Sequence, residues 1–445
     1  MKTPIYDFCK RYTESETTRF HVPGHKGRAI LGTEQLDLTE ISGADELYEA
    51  QGIIGESEKN ATDLFGTQKT VYSVEGSSQC IRAMTYLAVK NKTEDMKPVI
   101  VAPRNVHKAF IYSAALVDFG VEWIYPKESH SIISCTVTPK DLENTLSNLC
   151  YTPCGVYITS PDYLGNVADI KGLSEVCRKH NTVLLVDNAH GSYLHFLDNP
   201  QHPMDFGADM CCDSAHKTLP VLTGGAYLHI NKTANSSYAE NAKSAMALFG
   251  STSPSYLILS SLDLCNDYLK NHIKEDLKEA AFKVTELKKQ LTVNGWNVEK
   301  SDPLRITIKA PNGISGKEIA QKLKIGGVEC EYTDKDYTVL MATAFNSDKD
   351  FEKVTKALGI NNLPYVNHKA LPTVKCEKAL SIREAIFSRS ETIPVEFSAG
   401  RICAETTVSC PPAIPIVVSG EIISEEAVRV FKEYGIERVA VVGNS

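Results

Sequence analysis

The sequence predicts an α/β protein built on a largely parallel sheet, and three observations carry that expectation. From about Asn60 to Leu262, short apolar runs alternate with segments whose apolar residues recur at helical spacing. The runs themselves, among them VIVAP, CGVYITSP and TVLLVDNAH, are continuous rather than alternating, as in strands covered on both faces. Finally, 445 residues exceed what one hydrophobic core organises, so smaller units should accompany the sheet.

Residues 1–60 read as an N-terminal arm, with a short helix around Ile5–Tyr12 and loop-rich sequence after it. In HVPGHKGR the Pro and Gly punctuation and the lack of periodicity predict an ordered loop. The large domain, 61–265, opens with strand VYSVEG and helix SSQCIRAMTYLAVK. Strands VIVAP and VEWIYP flank helix HKAFIYSAALVDFG; then come CGVYITSP, a helix around Leu173–Lys179, TVLLVDNAH, MCCDSAH and GGAYLHI. A polar helix from about Asn266 to Thr292 leads into a smaller α+β domain, 266–364. Its strands are NGWNVEK, LRITIKA and DYTVLMAT, with helices near Gly316–Leu323 and Asp348–Leu358. A C-terminal domain, 365–445, holds a linker, helix Lys378–Ser388, the run CPPAIPIVVSG and a final helix and strand.

Composition narrows the function. A formal charge of −8 argues against a nucleic-acid-binding surface and mildly favours cationic partners or substrates. The 13 cysteines contain no CxxC pair, and the four-residue step from Cys150 to Cys154 is not a zinc-ribbon spacing, so reduced buried thiols are expected. MKTPIYDFCKRYTESE lacks the apolar core of a signal peptide, and no stretch approaches the roughly 20 apolar residues that cross a bilayer. These features point to a cytoplasmic protein without membrane contact.

The chemistry concentrates where predicted strands end. Lys217, in DSAHKT, follows roughly 30 residues after the apolar run that stops at Asp187. One amine and one carboxylate in that order suit pyridoxal phosphate: apolar surroundings favour the free, nucleophilic amine, and the carboxylate keeps the pyridine nitrogen protonated. A buried acid without a cationic partner is costly, so a pyridinium N–H gives Asp187 a physical reason to be there. Glu75-Gly76-Ser77-Ser78 lies between a strand and a helix, where unpaired amides, a positive dipole end and two hydroxyls suit a phosphate. Ser77 or Ser78 acting only as a helix cap is the competing reading. His107, after VIVAP, suits either stacking on a flat ring or capping a helix, and Ala189 is small enough to underlie the ring's other face. His190 has three open roles: contact to a phenolic oxygen, contact to a substrate carboxylate, or a polar strand end. Ser214 and His216 flank the lysine and can reach a phosphate, while Gly224-Gly225 permit close packing of the next strand. Rivals are poorly served, since GxGxxG and GxxxxGK[ST] are both absent. Pro23 and Gly24 deny His21 and His25 a helical metal site, and no metal is expected.

These motifs together resemble the fold-type-I pyridoxal-phosphate decarboxylases of ornithine, lysine and arginine, in the short form without an N-terminal wing domain. The resemblance covers nearly the whole chain through FHVPGHKGR, LTEISGADEL, DLFGTQKTVYSVEGSS, APRNVHKA, ITSPDYLGNVADI, LLVDNAHGSYLHF, DSAHKTLPVLTGGAYLH, GSTSPSY and AGRICAETTVSCPPAIPIVVSGE. It implies a fold-type-I transferase-like large domain with a mostly parallel sheet, a smaller α+β domain and a C-terminal segment. It implies that Lys217 forms the internal aldimine, Asp187 pairs with the ring nitrogen and His107 stacks on the ring. Ser77, Ser78, Ser214 and His216 would hold the phosphate, helped across a homodimer interface by Thr252 or Ser253. The implied reaction removes carbon dioxide from a basic L-amino acid and returns a proton from Lys217 or His216, giving agmatine or a diamine. The chain departs from the pattern in the shorter Leu47-Tyr48-Glu49-Ala50-Gln51, at Cys410 and at Ser419, which leaves the substrate open.

A basic substrate side chain needs an anionic end to its pocket, and Asp45, Glu46 and Glu405 are candidates, each equally readable as a surface or capping acid. Arginine or lysine is favoured over ornithine. The same fold also serves aminotransferases and carbon–sulfur lyases; Arg401 is the residue that would anchor a substrate carboxylate in an aminotransferase. A catalytically silent regulatory homologue is a further alternative.

Overall fold

The computed structural model describes residues 1–92, 97–125, 131–365, 374–406 and 413–443. Seven strands, β1 (Lys69–Ser73), β2 (Val99–Pro103), β3 (Gly120–Ile124), β4 (Gly155–Thr159), β5 (Leu184–Asp187), β6 (Met210–Asp213) and β7 (Ala226–Ile230), form a mostly parallel sheet. Its order is β1-β7-β6-β5-β4-β2-β3. The chain divides into two compact units, Met1–Thr93 with Val183–Asp276, and Glu94–Thr182 with Leu277–Ser445. That division differs from the boundaries drawn on the sequence, because each unit takes part of the sheet.

In the first unit β5 and β6 are parallel, while β7 runs antiparallel to both β6 and β1. Every residue of β5, β6 and β7 is buried, which is why these runs carry no polar alternation. The helices Pro4–Glu14, Ile53–Leu64 and Tyr256–Asn271 pack together. Buried Asp263 ties them: it accepts from the amides of Ile5 (2.8 Å) and Tyr6 (3.0 Å) and from the Ser57 hydroxyl (2.6 Å). Those amides belong to the first turn of a helix and have no carbonyl ahead of them in the chain, so a carboxylate from another helix completes the end. The short helix of the arm thus forms where expected, and HVPGHKGR contains neither helix nor strand. The arm's second helix, Ile53–Leu64, was not expected.

In the second unit β2 pairs in parallel with β3 and with β4. Its four-stranded sheet comprises β8 (Asn297–Glu299), β9 (Arg305–Lys309), β10 (Tyr332–Thr333) and β11 (Tyr337–Met341), ordered β10-β11-β9-β8 and antiparallel throughout. Helices Gly316–Ile325 and Asp348–Leu358 fall where their spacing predicts, each starting at a serine in a reciprocal capping box. The C-terminal strands β12 (Ser390–Pro394), β13 (Cys403–Glu405) and β14 (Arg438–Val442) form a sheet ordered β12-β14-β13. Its core joins Val395, Val417, Val430, Phe431, Val439 and Val441. Within this unit Arg104 meets Glu421 at 2.9 Å, nearly buried, with its guanidinium 4.8 Å from the Trp123 ring centre. Removing one member of such a buried pair costs about 3–5 kcal/mol.

Two expectations need correction. The polar stretch read as one helix from Asn266 is two helices, Tyr256–Asn271 and Ile273–Val293, interrupted at His272. The helix expected over Lys378–Ser388 is shorter, Ile382–Phe387, because Ser381 caps it and Lys378 pairs in an isolated bridge with Glu421. Cys410 and part of the linker after Pro364 lie outside the described residues.

Candidate active site

β5 and β6 lie side by side with Asp187 opposite Cys212, so both chains turn off the sheet at their carboxyl ends together. That edge is where open α/β sheets place ligand-binding groups. The turn after β5 carries Asn188, Ala189 and His190; the turn after β6 carries Ser214 and a short helical segment, Ala215–Thr218. Across the gap the Lys217 Nζ stands 2.8 Å from His190 Nε2. Asp187, 3 % exposed, accepts from the Ala189 amide at 3.2 Å and the Cys212 thiol at 3.6 Å. The amine and the carboxylate singled out in the sequence therefore sit on adjoining turns.

The third wall is the start of helix Ser77–Lys90. Gly76, with φ +70°, turns the chain from β1 into this helix, and neither Ser77 nor Ser78 caps it through its side chain. Instead the Ser214 hydroxyl donates to Ser77 Oγ at 2.8 Å, bringing two hydroxyls together at a helix N-terminus. Gly224, at φ +103°, receives the Gly76 amide on its carbonyl at 2.7 Å; a Cβ there would stand 2.8 Å from the Val74 carbonyl oxygen. Close approach of the β7 entry to the β1 exit thus requires this glycine.

His216 donates from Nδ1 to the Gly225 carbonyl at 3.0 Å, which leaves Nε2 as the unprotonated nitrogen of the neutral ring. Burial pushes its pKa down; the Gly225 bond opposes that shift and the Lys217 charge adds to it. Near the lysine, the buried Thr218 Oγ1 and Asn188 Oδ1 have no hydrogen-bond partner. Paired hydroxyls, an amine, a buried acid and polar atoms without partners together fit a small, flat, phosphate-bearing group.

His107 lies in the second unit, where its Nδ1 accepts from the Ala109 amide at 3.1 Å and caps helix Lys108–Val117. Thr252 and Ser253 are exposed, on a loop whose Ser251 amide donates to Glu75 Oε1 at 2.5 Å. Asp45 is committed to the fold: its carboxylate accepts from five amides, those of Glu46, Gln51, Gly52, Ile54 and Gly55. It caps helix Ile53–Leu64 and gives no support to a substrate role. Glu46 and Glu405 are exposed, and Arg401 is engaged by Glu391 at 2.6 Å and by the Val442 carbonyl at 2.9 Å. His21 and His25 have separate partners, Tyr12 and Asp37.

Missing from the sequence reading is a buried network one strand over. His202, Cys211 and Asp213 gather closely enough to suggest a metal. However, His202 Nδ1 accepts the Met204 amide at 3.3 Å, so its Nε2 carries the hydrogen donated to Asp213 and has no lone pair for an ion.

A model of the Orn/Lys/Arg decarboxylase major domain matches residues 3–318, and one of the C-terminal domain matches residues 363–434. The chain belongs to the Orn/Lys/Arg decarboxylase family. Arginine decarboxylase of Bacillus subtilis is 29% identical over 462 residues, covering 96% of this chain and 92% of that protein. Arginine decarboxylase of Halalkalibacterium halodurans is 29% identical over 470 residues, covering 97% and 93%. Among solved structures, the Francisella novicida lysine decarboxylase superposes with a TM-score of 0.81 at 15% identity, covering 99% of this chain and 81% of that one. A Sphingomonas wittichii serine palmitoyltransferase superposes at 0.57 and 14% identity, covering 80% and 83%. The fold is that of fold-type-I enzymes, the cofactor of this decarboxylase is pyridoxal phosphate, and its reaction is the decarboxylation of a basic amino acid.

Proposed function

We propose that this decarboxylase acts on L-arginine and releases agmatine and carbon dioxide, within polyamine synthesis. The names of the relatives matched along nearly the whole chain support arginine, whereas the lysine decarboxylase structures, at 15–16% identity, speak to the fold alone. The observation that carries the site is Lys217 Nζ against His190 Nε2, with buried Asp187 ending the neighbouring turn.

Pyridoxal phosphate supplies the electron sink that takes up the pair left when carbon dioxide departs. Lys217 Nζ would be the attachment point, and Asp187 would hold the ring N–H. Ser77, Ser78, Ser214 and the first-turn amides would receive the phosphate, with His216 beside them. Ala189 would lie against one face of the ring. The lysine nitrogen must shed and regain protons through a catalytic cycle. His190 Nε2, at hydrogen-bond distance, is the atom that lends and takes them. Lys217 or His216 returns the proton to the substrate carbon.

The protein functions as a homodimer. Phe20, Val22, Ile30 and Leu31 in the arm are 94%, 64%, 80% and 89% exposed, an apolar group that a second copy would cover. Thr252 and Ser253, exposed nearby in sequence to the Glu75 tether, would then reach the partner's phosphate. Cytosolic residence agrees with the free cysteines, most of them buried; among the described residues no helix is long and apolar enough to cross a membrane.

The test is incubation of the holoenzyme with arginine, lysine and ornithine separately, identifying each amine and measuring carbon dioxide. Agmatine should form at least ten times faster than cadaverine or putrescine. Preferential cadaverine formation would reassign the substrate to lysine.

A further inference from the structure

One strand over from Asp187, Asp213 ends β6 with no exposure at all and collects four donors. Asn188 Nδ2 (2.7 Å) and the Cys211 thiol (3.5 Å) donate to Oδ1; His202 Nε2 (3.0 Å) and His229 Nε2 (3.3 Å) donate to Oδ2. A carboxylate receiving only donors is ionised. Burial opposes that charge, and the four donated hydrogen bonds offset the cost.

Neither imidazole brings a compensating charge. His202 accepts an amide on Nδ1, as described above. His229 Nδ1 faces the Thr70 hydroxyl at 2.8 Å, and that hydroxyl also meets Thr67 Oγ1 at 2.8 Å, so Thr67 can feed it while it donates to the ring. Burial likewise drives His229 toward its neutral form, against the pull of Asp213. Four neutral donors thus surround a buried anion, an arrangement that is costly unless a cation binds close by. The other charged or titratable groups around Asp213 include Cys80, Cys211, Cys212 and Tyr227, with Asp187, His190, His216 and Lys217 along the same edge.

Asp213 also holds both turns of the site. Through Asn188, whose own amide donates to the Cys212 carbonyl at 2.9 Å, it fixes the turn bearing Asp187, Ala189 and His190. Directly in sequence it leads into Ser214, which bonds Ser77, and the Lys217 turn.

We infer that Asp213, clamped by His202 and His229, is a positioning residue: it sets the spacing of Asp187 and Lys217 through Asn188 and supplies a second fixed negative charge that strengthens the hold on the cationic cofactor ring. This rests on Lys217 and Asp187 being the cofactor site. Asp213→Asn keeps one acceptor oxygen in place of two, so its amide group faces either the two imidazoles or the donors on Asn188 and Cys211.

The experiment titrates purified wild type, Asp213→Asn and Asn188→Ala with pyridoxal phosphate, following the visible absorbance that Lys217 gives the bound cofactor. Its pH midpoint, cofactor Kd, and kcat and KM for arginine are read for each protein. For Asp213→Asn the midpoint should fall by about one unit, the cofactor Kd should rise about tenfold, and kcat should fall with KM within twofold. Asn188→Ala should weaken cofactor binding in the same direction with a smaller midpoint shift, since the charge remains. A folded Asp213→Asn protein with the wild-type midpoint and Kd would overturn the inference. If that variant does not fold, wild-type cofactor affinity in Asn188→Ala does so, and a weakened affinity upholds it. Absence of the absorbance in wild type itself would instead defeat the cofactor site.

Discussion

Two regions of the first unit bury carboxylates, and they use them in opposite ways. At the ends of β5 and β6, Asp213 is surrounded by side chains, a thiol, an amide and two imidazoles, while Asp187 meets the Cys212 thiol and the Ala189 amide. Where the N-terminal arm meets helix Tyr256–Asn271, Asp45 and Asp263 are surrounded largely by backbone amides. Backbone donors are fixed by the fold, so acids facing them are spent on structure. Polar atoms without partners occur beside both, at Asn188 and Thr218 near the first and at Asn266 near the second. Burial alone therefore does not separate a working acid from a structural one.

The sharpest way to break that contrast is at the first region. Lys217→Ala should lower decarboxylation by more than about a thousandfold and abolish the visible cofactor absorbance, with the unfolding transition of the cofactor-free protein little changed. Retained absorbance would remove the lysine from its assigned place.

The arm should respond through stability instead. Asp263 is pushed up to about 6, chiefly by burial, with the Ser57, Tyr6 and Ile5 hydrogen bonds opposing the shift. The folded state therefore holds this proton more tightly than the unfolded chain does. Its contribution is complete below the ordinary aspartate range and is lost as pH rises through about 6. Between pH 4 and pH 7 the group should weaken folding by roughly 2 kcal/mol. Urea unfolding across that range should show a smaller decline in Asp263→Asn; an equal decline in both proteins would contradict the argument.

A smaller effect is expected at Asp45. Asp45→Ala removes the cap of helix Ile53–Leu64 and should cost about 1–2 kcal/mol of stability while leaving KM for arginine unchanged. A several-fold rise in KM would return Asp45 to the substrate pocket.

The contrast also explains what the sequence could show. Helix Ser77–Lys90 and strand Val99–Pro103 lie on the residues read from periodicity; Asp187 was legible because it terminates an apolar run, and Lys217 because it follows one. Helix Ile53–Leu64 was not, since the carboxylate that caps it sits at Asp45, upstream of its own first turn. Helix Ser236–Ala247 buries three alanines beside Tyr238 and Met246, so its apolar signal is faint. The antiparallel course of β7 is invisible to periodicity, which reports faces but not direction. The Asp213 clamp draws His202, His229 and Asn188 from three separate segments, each an ordinary polar residue in its own neighbourhood.

The tautomer of His216 has a consequence for how the decarboxylase takes up its cofactor. With Nδ1–H given to Gly225, the ring offers incoming phosphate a lone pair rather than a donor. A dianionic phosphate can accept but not donate, so the neutral ring would add no bond to it, and the Ser77 and Ser214 hydroxyls with the first-turn amides would carry the hold.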